Sequence, residues 1–195
     1  MGGRILSLYL LVSSAPGRAL LRCRLPFRSV VLGFGILLGA SNLLGAAPRT
    51  AIDVRAELVV RVAQFTEWRA GSGDNSLEIA VYDDTAFARA LTKAVKGRQA
   101  GDLSLRVRSI SNLRELGAAR MVCFPDLGRR RLVQLLREVP KEGVLSLGLG
   151  KAFLESEGMI SFVVIDGGLK PRANLDSLKK SKLKLRSVLM RLLVK

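Results

Sequence analysis

Catalysis near neutral pH draws first on histidine, and this chain of 195 residues has none. That removes the usual general base and the commonest zinc ligand. The two cysteines, Cys23 and Cys123, stand far apart, so neither metal nor redox spacing is present. Cys123 lies in the apolar run Arg120-Met-Val-Cys-Phe-Pro125, which predicts a buried, inert thiol and not a nucleophile. Asp83 and Asp84 are adjacent, so their side chains diverge; they suit a turn and a helix cap better than a shared acid–base site. Glu155 and Glu157 flank Ser156 and have the same geometric problem. The run from Gly148 through Gly150 to Phe153 opens like a dinucleotide fingerprint, but the third glycine is missing and the run falls late in the chain. There is no P-loop and no Gly-x-Ser-x-Gly. Composition and spacing therefore point away from an enzyme, and they name no catalytic, cofactor-binding or metal-ligating residue.

Charge is the stronger signal. Lys and Arg number 32 against 16 Asp and Glu, a net charge of +16. Such a balance suits anionic partners: nucleic acid, lipid head groups, cell-surface polymers or an acidic protein face. Nucleic acid is the poorest of these. Aromatics are only 5% of residues and are not interleaved with the basic stretches, so stacking platforms are lacking. No groove-reading motif is visible. Many of the cations sit in the last 30 residues, where helix faces carrying them also read simply as solvated surface.

The first 47 residues differ from the rest. Their charges are five arginines, Arg4, Arg18, Arg22, Arg24 and Arg28, and the first acid is Asp53. An uncharged run follows from Ser29 to Pro48, ending in small residues. Basic flank, apolar run and small-residue end are the parts of an export signal, expected to be removed near Ala46. The run is also about long enough to remain as an anchor. The domain assignment is thus residues 1–47 as signal and 48–195 as one α/β domain. Removing 1–47 leaves 27 basic and 16 acidic residues, a net +11. It also leaves Cys123 alone, so no disulfide can form within the domain.

Periodicity positions the remaining elements. Residues 50–68 read as a helix with a broad apolar face, closed by Trp68. Leu77–Tyr82 reads as a strand, and a helix over 85–96 follows, capped by the Asp pair and ended by Gly97. Leu103–Ile110 alternates as a half-buried strand, and Asn112–Ala119 as a helical turn. Met121–Phe124 is uninterrupted and apolar, as suits a central strand covered on both faces. Residues 128–138 form a basic helix, 144–149 a strand, 152–157 a short helix or turn, and 158–165 a strand. Gly167-Gly168 turns the chain into a hairpin over 170–175. From Asn174 onward leucines recur at helical spacing. Strands alternating with helices indicate a single compact α/β domain: a mixed, mostly parallel sheet flanked by helices, with a C-terminal helical tail.

Several of these stretches together resemble one family. Val54–Trp68 is similar to the opening helix of YfiR-like periplasmic proteins, ending in an aromatic, Phe65, a few residues and a Trp. The resemblance continues through Leu77–Asp83 and the helix near Phe87, through the glycine-led strand Gly158-Met159-Ile160-Ser-Phe162, and into Asn174–Leu193 with Leu183 and Ser187. It covers nearly all of 48–195. The resemblance implies a compact, often dimeric α/β fold in the periplasm. It also implies a non-enzymatic regulator that holds a membrane diguanylate cyclase, or a sensor kinase, through protein contact. A periplasmic small-ligand binding protein is the alternative. The sequence departs from the family in places: relatives carry disulfides, Arg69 stands where Pro often follows the Trp, and Arg186 replaces the first Ser of a pair. Lys182 stands where a Gly often ends the penultimate helix. A left-handed Lys costs about 1 kcal/mol relative to Gly, which favours one continuous tail helix. If the chain breaks there instead, Ser187 is placed to cap the last turns.

The residues singled out for partner contact are Trp68, Leu185, Leu189 and Leu192. Trp68 is either a hot-spot anchor or a lid on the core. The leucine stripe either packs on the sheet or forms a dimer seam. Phe65, Gly158, Met159, Ile160, Phe162, Leu183 and Ser187 are expected to be structural, as is Asn174 as a helix cap.

Overall fold

The computed structural model describes residues 50–68 and 75–193. The export signal expected over 1–47, Arg69 and most of the glycine-rich stretch at 71–76 lie outside the described residues. Residues Ala47–Lys195 form one compact unit of their own.

Helix α1 spans Ala51–Gln64 and starts with a reciprocal cap between Thr50 and Asp53. It ends four residues earlier than its apolar pattern suggests, for a local reason. The carbonyls of Val62 and Ala63 are taken by side-chain donors, the Thr66 hydroxyl at 2.7 Å and the Trp68 indole N–H at 2.7 Å. The chain instead leaves as a two-residue strand, β1 (Thr66–Glu67). There follow β2 (Ser76–Tyr82), α2 (Thr85–Val95, capped by Asp84), β3 (Gln99–Ala100) and β4 (Leu103–Ile110). A 3₁₀ turn at Leu113–Leu116 leads to β5 (Met121–Cys123), α3 (Arg129–Glu138), β6 (Leu145–Leu149) and α4 (Gly150–Glu155). The chain closes with β7 (Ile160–Ile165), β8 (Gly168–Ala173), α5 (Leu175–Ser181), β9 (Lys184–Leu185) and α6 (Ser187–Leu192).

Seven strands form the main sheet in the order β3-β4-β2-β5-β6-β7-β8. The five from β4 to β7 run parallel, and the edge strands β3 and β8 are antiparallel. This is the mixed, mostly parallel sheet expected. β5 is its centre and is buried throughout. The hairpin between β7 and β8 turns at Asp166-Gly167, both left-handed, one residue before the expected Gly167-Gly168.

Alternation splits the core into two layers. Ile79, Val81, Met121 and Leu145 face α1, α2, α5 and α6, whose Val59, Phe87, Leu178 and Leu189 cover them. Ala80, Tyr82, Val122 and Phe124 face α3, α4 and the 3₁₀ turn. On that second face Phe153 is fully buried between Gly148 and Gly158. A Cβ on either glycine would come within 2.2 Å of its ring. Gly148 therefore seats an aromatic ring; it is not part of a nucleotide loop.

The tail corrects one expectation. Lys182 does adopt a left-handed conformation (φ 57°), and α5 stops there. The following residues cross to β1 as an antiparallel pair, Thr66 opposite Leu185 and Glu67 opposite Lys184. α6 then starts anew, with Arg186 at its N-cap; Ser187 makes no side-chain cap bond. Burial of Leu189 and Leu193 against the first core layer gives the break its return, at roughly 1.5–3 kcal/mol per leucine.

Candidate functional site

In a doubly wound sheet the crevice lies at the carboxyl ends of the strands, where successive crossovers diverge. Here that point falls between β2 and β5. From β2 the chain goes outward to β4 and then returns to β5 on the other side. The residues at these strand ends are Tyr82, Asp83 and Asp84 after β2, and Phe124 to Gly128 after β5.

Arg55 of α1 reaches into this edge. It is 7% exposed. One guanidinium nitrogen donates to the Asp84 carboxylate at 3.2 Å and the other to the Phe124 carbonyl at 2.8 Å. The guanidinium stacks over the Phe87 ring at 3.8 Å, and Nε, buried there, has no hydrogen-bond acceptor. The second Asp84 oxygen accepts the Phe87 N–H at 3.0 Å. One carboxylate thus caps α2 and holds α1 by an ion pair. In the sequence Arg55 is interleaved, with Glu57 and Arg61, among the apolar residues of α1. The sequence signal for its role is its spacing, one turn before the buried Val59, with an Asp pair at a strand end. Arg131, on the first turn of α3, donates to the Tyr82 hydroxyl at 3.0 Å and ties the other side of the same edge.

Cys123 lies just below. Burial pushes its thiol up to about 12, against a smaller downward pull from Arg55. A thiol so held is protonated at neutral pH and is no nucleophile. Among the described residues no group of His, Cys, Asp and Glu is placed to hold a metal ion.

Beside Arg55 a groove of about 460 Å³ opens between the start of α1 and the ends of β6 and β7. Its walls are largely aliphatic and aromatic, with Ile52, Leu149, Phe162, Val164 and Leu169 foremost, and Lys151 and Asp126 also line it. Val164 is 74% exposed and Ile52 43%. The arrangement can hold an apolar body beside a charged group. It offers no base–nucleophile pair.

The residues chosen from sequence do not converge on this edge. Trp68 is half-buried, tied to Ala63 and overlaid by the Arg120 guanidinium at 5.5 Å. It borders a cavity of about 410 Å³ shared with Glu142, Lys182 and Lys184. Leu185 lies half-buried in β9 near that cavity. Leu189 is 2% exposed and Leu192 49%, so the supposed stripe divides between core and surface. Phe65 and Leu183 pack partly buried against the first layer, where Met159, Ile160 and Phe162 are buried. Asn174 accepts the N–H groups of Asp176 and Ser177, each at 3.1 Å, and donates to the Leu154 carbonyl. Ser187 is exposed.

Among the described residues no helix is long and apolar enough to cross a membrane. No curated protein matches the chain. A family model described as YfiR/HmsC-like matches residues 52–192, which takes in every helix and strand described above apart from the first residue of α1. The chain belongs to the YfiR/HmsC-like family.

Proposed function

We propose that this chain is an exported, non-enzymatic regulator acting by protein contact on a signalling protein of the inner membrane, in the first place a diguanylate cyclase, and so altering cyclic di-GMP. Family membership across residues 52–192 carries the reading. The arginine-flanked apolar leader over 1–47 supports export to the periplasm. The groups that chemistry would need have structural duties: Asp84 caps α2 and holds Arg55, and Cys123 is kept protonated.

The test is affinity capture with residues 48–195 from detergent-solubilised membranes of the source cells. Recovery of a membrane protein carrying a cytoplasmic cyclase or kinase domain is the expected result. Its cyclase activity in reconstituted membranes should then change when the domain is added to the periplasmic side. A blank capture together with unchanged cyclic di-GMP in a deletion strain would reject the reading.

The groove beside Arg55 favours a second reading, a periplasmic binding protein for a small ligand with an apolar body. Its size and apolar lining match ordinary ligand pockets. Under that reading Val164→Asp abolishes binding of a hit from a metabolite screen by calorimetry, and a screen that stays flat counts against it.

A further inference from the structure

Residues 177–195 contain seven cations and not one acid. In the described part of that run Lys179, Lys180, Lys182, Lys184, Arg186 and Arg191 are all exposed. Two are answered locally: Lys179 lies 4.0 Å from Asp176, and Lys182 lies 2.8 Å from Glu142. The other four make no ion pair with a described carboxylate. Glu67 stands opposite Lys184 in the β1–β9 ladder, so one further acid is near. The balance is still strongly positive.

Apolar exposure concentrates in the same place. The large apolar side chains exposed among the described residues are Ile52, Val54, Val164, Val188, Met190 and Leu192, and the last three are on α6. Leu189 and Leu193 fix α6 to the core. Helical spacing then points Arg191 directly away from that buried stripe, with Val188 and Leu192 one turn apart on its flank. Core packing explains Leu189 and Leu193. It does not explain three half-exposed aliphatic side chains among unpaired cations.

We propose that β9 and α6, with the lysines at the end of α5, form a docking surface for a bilayer of anionic phospholipid. The cations are on long stems suited to diffuse phosphate charge, and Val188 and Leu192 can enter the boundary between head groups and acyl chains. An acidic protein face is the competing occupant. It would have to match fixed positions, and the exposed aliphatic side chains would gain from it only by close packing. The inference does not depend on the identity of any signalling partner.

The test is flotation of residues 48–195, a unit with its own core, with two kinds of vesicle. One is phosphatidylcholine alone, and the other contains one-third phosphatidylglycerol. Binding to the second kind alone is expected, weakening by about tenfold or more between 50 and 200 mM salt. The K184E/R186E/R191E variant should lose binding by about a hundredfold or more, at about fivefold for each of the three cations removed. V188S/M190S/L192S should lose part of it while keeping the salt dependence. An R89E/K93E/K96E variant of α2 and its C-cap matches the net-charge change at a different exposed site, and it should bind nearly as wild type. Circular dichroism confirms that each variant is folded. No binding to anionic vesicles would overturn the proposal. So would equal losses in the tail and α2 variants, which would reduce the effect to net charge. Capture of an acidic protein without vesicle binding would assign the surface to the competitor. A failed cyclase capture would leave the vesicle result intact, so the two readings fail separately.

Discussion

Single side chains here do joining work that their types conceal. Arg55 links α1 to the carboxyl ends of β2 and β5 through one carboxylate, one carbonyl and one ring. Its removal takes the ion-pair partner from Asp84, which keeps the Phe87 N–H, and the side-chain donor from the Phe124 carbonyl. Arg55→Met should therefore cost about 2–3 kcal/mol in urea denaturation, less than a fully buried pair because Asp84 keeps some solvent. A cost below 0.5 kcal/mol would mean that water replaces the guanidinium. The ring seat of Phe153 gives a sharper test. Gly148→Ala or Gly158→Ala forces a Cβ into the ring and should cost about 2–3 kcal/mol. In a Phe153→Leu background the same change should cost clearly less, a coupling that only the shared contact produces. Cys123 supplies a pH test. Its thiol, ordinarily near 9, is raised to about 12 by burial. Below pH 9 the folded and unfolded states both hold the proton. Between 9 and 12 the unfolded state releases it first, so stability contributed by the neutral thiol falls as pH rises. Wild type should thus lose stability faster than Cys123→Val across that window, and parallel curves would refute the assignment.

At the scale of elements, the sequence was readable wherever periodicity lasted long enough to count. β2, β4, α2 and α3 were legible from their apolar spacing, and the central place of β5 from its lack of any polar break. The two-residue strands β1 and β9 were not. Two residues have no period, and nothing in Thr66-Glu67 breaks a helix, so only the Thr66 and Trp68 donors reveal the stop. In the tail a local cost taken alone favours a continuous helix, and the chain breaks nonetheless. A left-handed Lys182 is unfavourable, yet the break lets Leu183 and Leu185 pack by β1 and buries Leu189 and Leu193. Around it, the Lys182 N–H reaches the Lys179 carbonyl, and the Leu183 N–H reaches the Ser181 hydroxyl. Lys182→Gly should therefore stabilise the domain by about 0.5–1 kcal/mol, seen as a rise of a few degrees in Tm. A fall in Tm would show that the exposed pair with Glu142 outweighs the backbone strain. The site was legible only in part for a similar reason. Arg55 and Asp84 are 29 positions apart in the chain, and only the topology brings them to one edge.

The whole domain is governed by a charge that its fold does not neutralise. Residues 48–195 hold 27 basic and 16 acidic side chains. Several of the acids are already used in ion pairs, among them Asp84, Glu57 and Glu78. The excess of cations is therefore mostly on the surface, and its mutual repulsion opposes the compact state. Screening weakens as the Debye length grows to about 30 Å at 0.01 M salt and strengthens as it shrinks to about 10 Å at 0.1 M. Raising neutral salt from 10 to 300 mM at pH 7 should thus raise Tm by several degrees, whereas a protein held chiefly by its exposed ion pairs would lose stability. Acidification tests the same term from the other side. Protonating the carboxylates moves the net charge from +11 toward +27 and cancels the ion pairs of Arg55, Arg98 and Arg108. Circular dichroism at pH 3 should show unfolding at 10 mM salt and substantial recovery of structure at 300 mM. If salt restores nothing, the lost ion pairs and not the repulsion limit the acid stability, and the Arg55–Asp84 contact becomes the first place to look.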